Sequence, residues 1–63
     1  MILKDLYRVM GSYQEVEVVN DEREKVLFKG YLVDIMKENK ELLDLEVTFI
    51  ECDNDKVYID LDV

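Results

Sequence analysis

The chain has no histidine, no proline and no tryptophan, and only one cysteine and two glycines among 63 residues. Each scarcity removes a class of chemistry or scaffold. Without histidine, and with Ser12 and Thr48 as the only hydroxyl side chains besides the tyrosines, no Ser/His or Cys/His nucleophilic pair can be assembled within one chain. The lone Cys52 excludes an internal disulfide, and no cluster of Cys and His is present to hold zinc. The nearest basic neighbour of Cys52 is Lys56 across a turn, which favours a packing or surface thiol over a reactive one. No apolar run approaches the ~20 residues that span a bilayer. Met1-Ile2-Leu3 is followed at once by Lys4 and Asp5, so no signal peptide is expected, and a lone thiol fits a reducing cytoplasm.

What the chain does have is acid. Sixteen Asp and Glu against eight Lys and Arg leave a net charge of −8 and a pI near 4.3. Direct nucleic-acid binding through a basic patch is therefore disfavoured, because phosphates would be repelled rather than neutralised. The same balance aids solubility and steers the chain towards basic surfaces. Apolar residues make up 49% of the sequence and are patterned, so disorder is not indicated. A chain this short buries only about 60% of the surface its unfolded form exposes. Domains below roughly 70–80 residues usually need a staple. With disulfide and zinc excluded, tight packing or association with another chain remains, and a single α+β domain over residues 1–63 is expected.

The longest apolar, β-branched and aromatic run is Lys25 to Ile35. At period two it places Val26, Phe28, Gly30 and Leu32 on one face and Leu27, Lys29, Tyr31 and Val33 on the other, which predicts a central or covered strand. A glycine inside a strand marks a bulge or a close approach, here by Tyr7 or Met10 of a docked helix. That helix is predicted over residues 2–10, where Leu3, Leu6, Tyr7 and Met10 form one stripe and Gly11 suits the C-terminal cap. Residues 14–19 alternate as a first strand, Val16 and Val18 inward and Glu15 and Glu17 outward, joined to the long strand by the polar loop 20–24. Asp34 can cap a short helix over residues 36–43, whose inner stripe is Ile35, Asn39, Leu42 and Leu43.

Residues 45–63 read as a second hairpin, and two registers compete. A two-residue turn at Asn54-Asp55 pairs Ile50 with Ile59 and sets Phe49 opposite Asp60. A three-residue loop, Asp53 to Asp55, pairs Phe49 with Ile59 and Val47 with Leu61, keeping the apolar sets together. Because a one-residue slip reverses every side chain, the pattern favours the three-residue loop. The predicted fold is α+β, a four-stranded antiparallel sheet of two hairpins with the N-terminal helix packed on it and a short connecting helix. Glu51 to Asp55, with Asp60 and Asp62, superficially suggests calcium ligands. The known loop needs a Gly at its sixth position and a Glu at its twelfth, both missing, so a polar turn is the better reading. Neither a metal, nor a cofactor, nor a catalytic residue is expected.

Function-bearing features reduce to one face. Leu27, Tyr31 and Val33, with Ile50 and Tyr58, are not all covered by one short helix. A curled sheet or the second helix could enclose them, or they could form an interface patch. Tyr31 and Tyr58 ringed by Glu15, Glu17 and Asp60 suit a partner offering Arg or Lys. Glu15/Glu17 and Asp60/Asp62 are i, i+2 pairs about 6.7 Å apart at ~3.3–3.4 Å per residue. Duplex DNA presents one charge per ~1.7 Å of axis, so mimicry of it would need both pairs on one open face.

Leu3-Lys4-Asp5-Leu6-Tyr7, Val26-Leu27-Phe28-Lys29-Gly30 before Val33-Asp34-Ile35, Glu41-Leu42-Leu43-Asp44 and the closing hairpin together span most of the chain. In these segments it resembles the small acidic, uncharacterised proteins encoded in phages and prophages of Gram-positive (Firmicutes) bacteria. The motifs are structural and transfer no catalytic residue. The resemblance implies an accessory product acting in the host cytoplasm, of a kind that often inhibits a host enzyme or defence complex. Where such proteins tend to carry a proline after the Asp-Ile pair, this chain has Met36.

The sequence thus supports a non-enzymatic interaction protein binding a basic surface of a host protein, with Glu15, Glu17, Leu27, Tyr31, Val33, Tyr58 and Asp60 as its contact residues. The alternatives are a self-associating structural module, including a homodimer through the same face, and a small-ligand-binding homo-oligomer.

Overall fold

A computed structural model describes residues 1–63. The elements in order are a 3-10 helix at Leu3–Arg8, β1 at Glu15–Asn20, β2 at Val26–Tyr31, the helix α1 at Leu32–Glu38, a second 3-10 helix at Lys40–Asp44, β3 at Val47–Asp53 and β4 at Lys56–Leu61. The four strands form one sheet in the order β2-β1-β4-β3. β1/β2 and β3/β4 are antiparallel hairpins, but β1 and β4 run parallel, so the sheet is mixed rather than all antiparallel as expected. Burial accounts for the difference. Val57, Ile59 and Leu61 are the most deeply packed apolar strand residues outside β1, whereas β3 is largely exposed. Seating β4 beside β1 puts the two most apolar inner faces at the centre. The connection from Leu32 to Glu46 is long enough to carry the chain over the core to the far edge.

One face of the sheet carries Val16, Val18, Phe28, Val57, Ile59 and Leu61 into a single core, closed from above by Leu3, Leu6, Leu32, Ile35 and Leu42. The N-terminal stripe is where the spacing places it: Leu3 and Leu6 are buried, and Tyr7 and Met10 pack against the core. Its backbone, however, is a 3-10 helix of six residues rather than an α-helix over 2–10. A free-standing α-helix this short is unfavourable, and flanking strand-like pairing limits its length: Leu3 N–H donates to Leu45 O at 3.0 Å, and Val47 N–H donates to Met1 O at 2.7 Å. Within it, Ile2 N–H donates to Asp5 Oδ2 at 3.1 Å, satisfying one orphan donor of the first turn.

The Lys25–Ile35 run is not one central strand. β2 is an edge strand and ends at Tyr31. From there Leu32 and Ile35 adopt helical spacing and bury completely. Apolar residues on both faces therefore reflect a strand running into a helix, not a doubly covered strand. Asp34 lies in the first turn of α1 and is not its cap; the Tyr31 cap position makes no side-chain cap bond. Gly30 has φ +152°, and a Cβ there would lie 3.3 Å from Phe28 Cζ. The group that approaches Gly30 is thus the Phe28 ring of the same strand, rather than Tyr7 or Met10.

In the second hairpin the two-residue turn forms. Asn54 and Asp55 both have positive φ (50° and 66°), as a type I′ turn requires. Ile50 pairs with Ile59 and Phe49 with Asp60. Val47 still pairs with Leu61, because a bulge between Val47 and Phe49 absorbs one residue. The three-residue loop is therefore corrected, while its Val47–Leu61 pairing stands.

Candidate functional site

All the helical elements lie on the core side, which leaves the other face of the sheet uncovered. Ladder pairing fixes its membership. β1 contributes Glu15, Glu17 and Val19, opposite Tyr31, Lys29 and Val26 of β2. β4 contributes Lys56, Tyr58 and Asp60, opposite Asp53, Glu51 and Phe49 of β3. Across the parallel seam Glu17 pairs with Tyr58 and Val19 with Asp60.

Of the contact residues expected from sequence, Glu15, Glu17, Tyr31, Tyr58 and Asp60 share this face. Leu27 does not: the shift in register between Val18 and Val19 places it in a bulge, where it packs half-buried against the core. Val33 does not either, since it belongs to α1. Ile50, opposite Ile59, turns towards the core as well. The second face is thus neither enclosed by a curled sheet nor covered by a helix. Phe49 joins it instead and is 47% exposed. Choosing the two-residue turn would have found Phe49 from sequence.

The face is not uniformly acidic. Lys56 Nζ stands 3.3 Å from Glu17 Oε1 with both side chains mostly buried, and it lies 5.5 Å from the centroid of the Tyr58 ring. Tyr31 meets Tyr13 edge to face, with centroids 6.5 Å apart. At the centre sits Asp60, flanked by Val19 and Phe49 and only 5% exposed. Arg23 reaches it from the β1–β2 loop: its Nε donates to Asp60 Oδ2 at 3.1 Å, and its guanidinium lies 5.2 Å from the Phe49 ring centroid. Asp60 Oδ1 is buried without a hydrogen-bond partner. Nothing in the sequence pattern marks Arg23, since loop residues carry no periodicity.

Beside this pair is a shallow cavity of about 480 Å³ whose wall includes Glu17, Arg23, Glu51, Asp53, Tyr58 and Asp60. Of the four carboxylates in its wall, Glu17 is paired with Lys56, which also lies over the Tyr58 ring, and Asp60 with Arg23; Glu51 and Asp53 make no ion pair. Away from this face, the Tyr7 hydroxyl donates to Leu32 O. Its phenol is held above the ordinary value, first by desolvation and then by Asp34, against a lowering backbone contact from Met36. No helix is long and apolar enough to cross a membrane. Comparison with family models, curated proteins and solved structures finds no match.

Proposed function

We propose that this chain is a non-enzymatic interaction protein of phage type. In this reading it inhibits a host defence or nucleic-acid-processing protein in the cytoplasm by docking its uncovered sheet face on a basic surface. The observation that carries the reading is the convergence of Glu15, Glu17, Glu51, Asp60, Tyr31, Tyr58 and Phe49 on that one face. Exposed aromatics among carboxylates are the composition that recognises Arg- and Lys-bearing surfaces, with charge setting the encounter rate and the aromatics the affinity. The charges are spaced too widely and interrupted by too many cations (Lys29, Lys56, Arg23) to imitate a phosphate backbone, so protein recognition is favoured over mimicry of DNA.

The test is affinity capture from host lysate by wild-type protein and by a Glu15→Gln/Glu17→Gln/Glu51→Gln variant, washed at low salt and at ~0.5 M, where the screening length falls to a few ångströms. A host protein kept by the wild type at low salt, shed at high salt and lost in the variant supports the reading. Equal capture by both proteins removes it. Self-association is the second reading, favoured by Val26, Tyr31 and Phe49, each about half exposed on this face. Light scattering decides it, since a mass that stays monomeric as the protein is concentrated to roughly millimolar excludes the homodimer and with it a ligand site shared between copies.

A further inference from the structure

We infer that the centre of the uncovered face is a guanidinium-binding subsite, held in the free chain by Arg23 and taken over by an arginine side chain of a protein partner. The inference rests on the docking face proposed above and names the chemistry of its central contact.

Three observations carry it. The first is the half-made ion pair. A carboxylate can accept a guanidinium fork through both oxygens, and that bidentate geometry is the strong one. Arg23 uses a single Nε contact to Oδ2. Asp60 Oδ1 is left unpartnered in a side chain with only 7% of its surface exposed. A buried carboxylate oxygen with no donor is a standing cost that a better-placed fork removes. The second is that this place already accommodates a guanidinium, 5.2 Å from the Phe49 ring centroid and paired to Asp60. The walls therefore fit a planar cation rather than a compact ammonium. The third is the excess of acid around it. Of the nearby carboxylates Glu17 is neutralised by Lys56, whereas Glu51 and Asp53 make no ion pair.

Arg23 is also a weak holder. Its side chain is 56% exposed and its backbone sits at φ 59°, a left-handed conformation unusual for a non-glycine residue. An incoming arginine from a rigid partner surface exchanges one contact for two and leaves Arg23 to solvent.

The test uses the whole chain, labelled with ¹⁵N, and the capped amino acid N-acetyl-arginine-methylamide as probe. The two arginines, Arg8 and Arg23, give two side-chain Nε–H signals, one of which reports the Asp60 contact directly. On titration the Arg23 signal is expected to move to its solvent-exposed position while Arg8 stays, with amide shifts confined to residues 49–51 and 58–60. The matching lysine compound should bind about tenfold more weakly, one charge-assisted hydrogen bond being worth about that factor. The citrulline compound, which lacks the charge, should not bind. Asp60→Asn should weaken the arginine probe by a similar factor, and Arg23→Ala should strengthen it by vacating the place; either variant suffices if the other fails to fold.

An unmoved Arg23 signal, or equal shifts from the lysine and arginine compounds, overturns the inference. The two proposals fail separately. A captured host protein that Asp60→Asn still retains would leave the docking face standing without the guanidinium subsite. An arginine probe that displaces Arg23 when no host protein is captured supports the subsite and removes the inhibitor reading.

Discussion

Substituting alanine at each of the two glycines should move stability in opposite directions. Gly30, the last residue but one of β2, has φ +152°, where an L-residue is strained at a cost of order 1–3 kcal/mol. The added Cβ would also sit 3.3 Å from Phe28 Cζ, and that ring is itself buried in the core and has little room to retreat. Against this stands the gain from a less flexible unfolded chain, about 0.4–1 kcal/mol. The balance for Gly30→Ala is a loss of about 1–2 kcal/mol. At Gly11 a Cβ would meet nothing within 4 Å and the backbone is not left-handed, so only the unfolded-state gain remains. A domain of this size shifts Tm by roughly 4–8 °C per kcal/mol. Gly30→Ala should therefore melt about 4–16 °C lower than wild type, and Gly11→Ala a few degrees higher. Urea denaturation followed by far-UV circular dichroism checks both, with an unchanged m-value as the sign that only stability moved. If Gly30→Ala proves as stable as Gly11→Ala, the strand does not end in the conformation described. The placement of Tyr31 on the uncovered face would fall with it.

Three further substitutions probe the frame. Ile59→Ala removes a fully buried side chain at the centre of the sheet; the expected loss of about 2–5 kcal/mol rivals the whole stability of so small a domain, and the far-UV spectrum at 25 °C should be that of a largely unfolded chain. Asp55→Gly creates the Asn-Gly pair preferred by a type I′ turn and relieves one positive φ, so it should raise stability by about 0.5–1 kcal/mol in the same urea assay, whereas a three-residue loop would respond weakly. Tyr7→Phe removes the bond to Leu32 O and should cost about 0.5–1.5 kcal/mol. Because the Tyr7 phenol is raised above 10.0 in the folded chain, first by desolvation, its contribution is complete below that value and is lost as pH rises through the folded pKa; the alkaline fall in wild-type stability should flatten in the variant.

Much of the frame follows from periodicity. Val16 and Val18 point inward, Leu3 and Leu6 bury, and the second hairpin falls in its expected segment, because burial selects residues two apart in strands and three or four apart in helices. Periodicity fails where the chain changes type without a breaker. Tyr31 and Leu32 are neighbours in an unbroken apolar run, yet one ends a strand and the next opens a helix, and with no proline or capping side chain the boundary leaves no mark. Sheet order fails for another reason. Whether β4 returns beside β1 depends on comparing the burial of whole faces, a property of the assembled sheet and not of any local segment.

The makeup of the candidate face was lost to two bulges in particular. Parity counting assumes one residue per ladder step. The irregularity between Val18 and Val19 removes Leu27 from the face, and the one between Val47 and Phe49 adds Phe49 to it while letting Val47 and Ile50 both turn inward. Maximising apolar agreement along β3 therefore chose the wrong turn, since a bulge satisfies the core at both ends and releases one aromatic between them. That released ring is the one Arg23 lies over. Phe49 and Val19 are the ladder partners of Asp60, so the same irregularity that defeats the sequence pattern sets an aromatic ring beside the buried carboxylate.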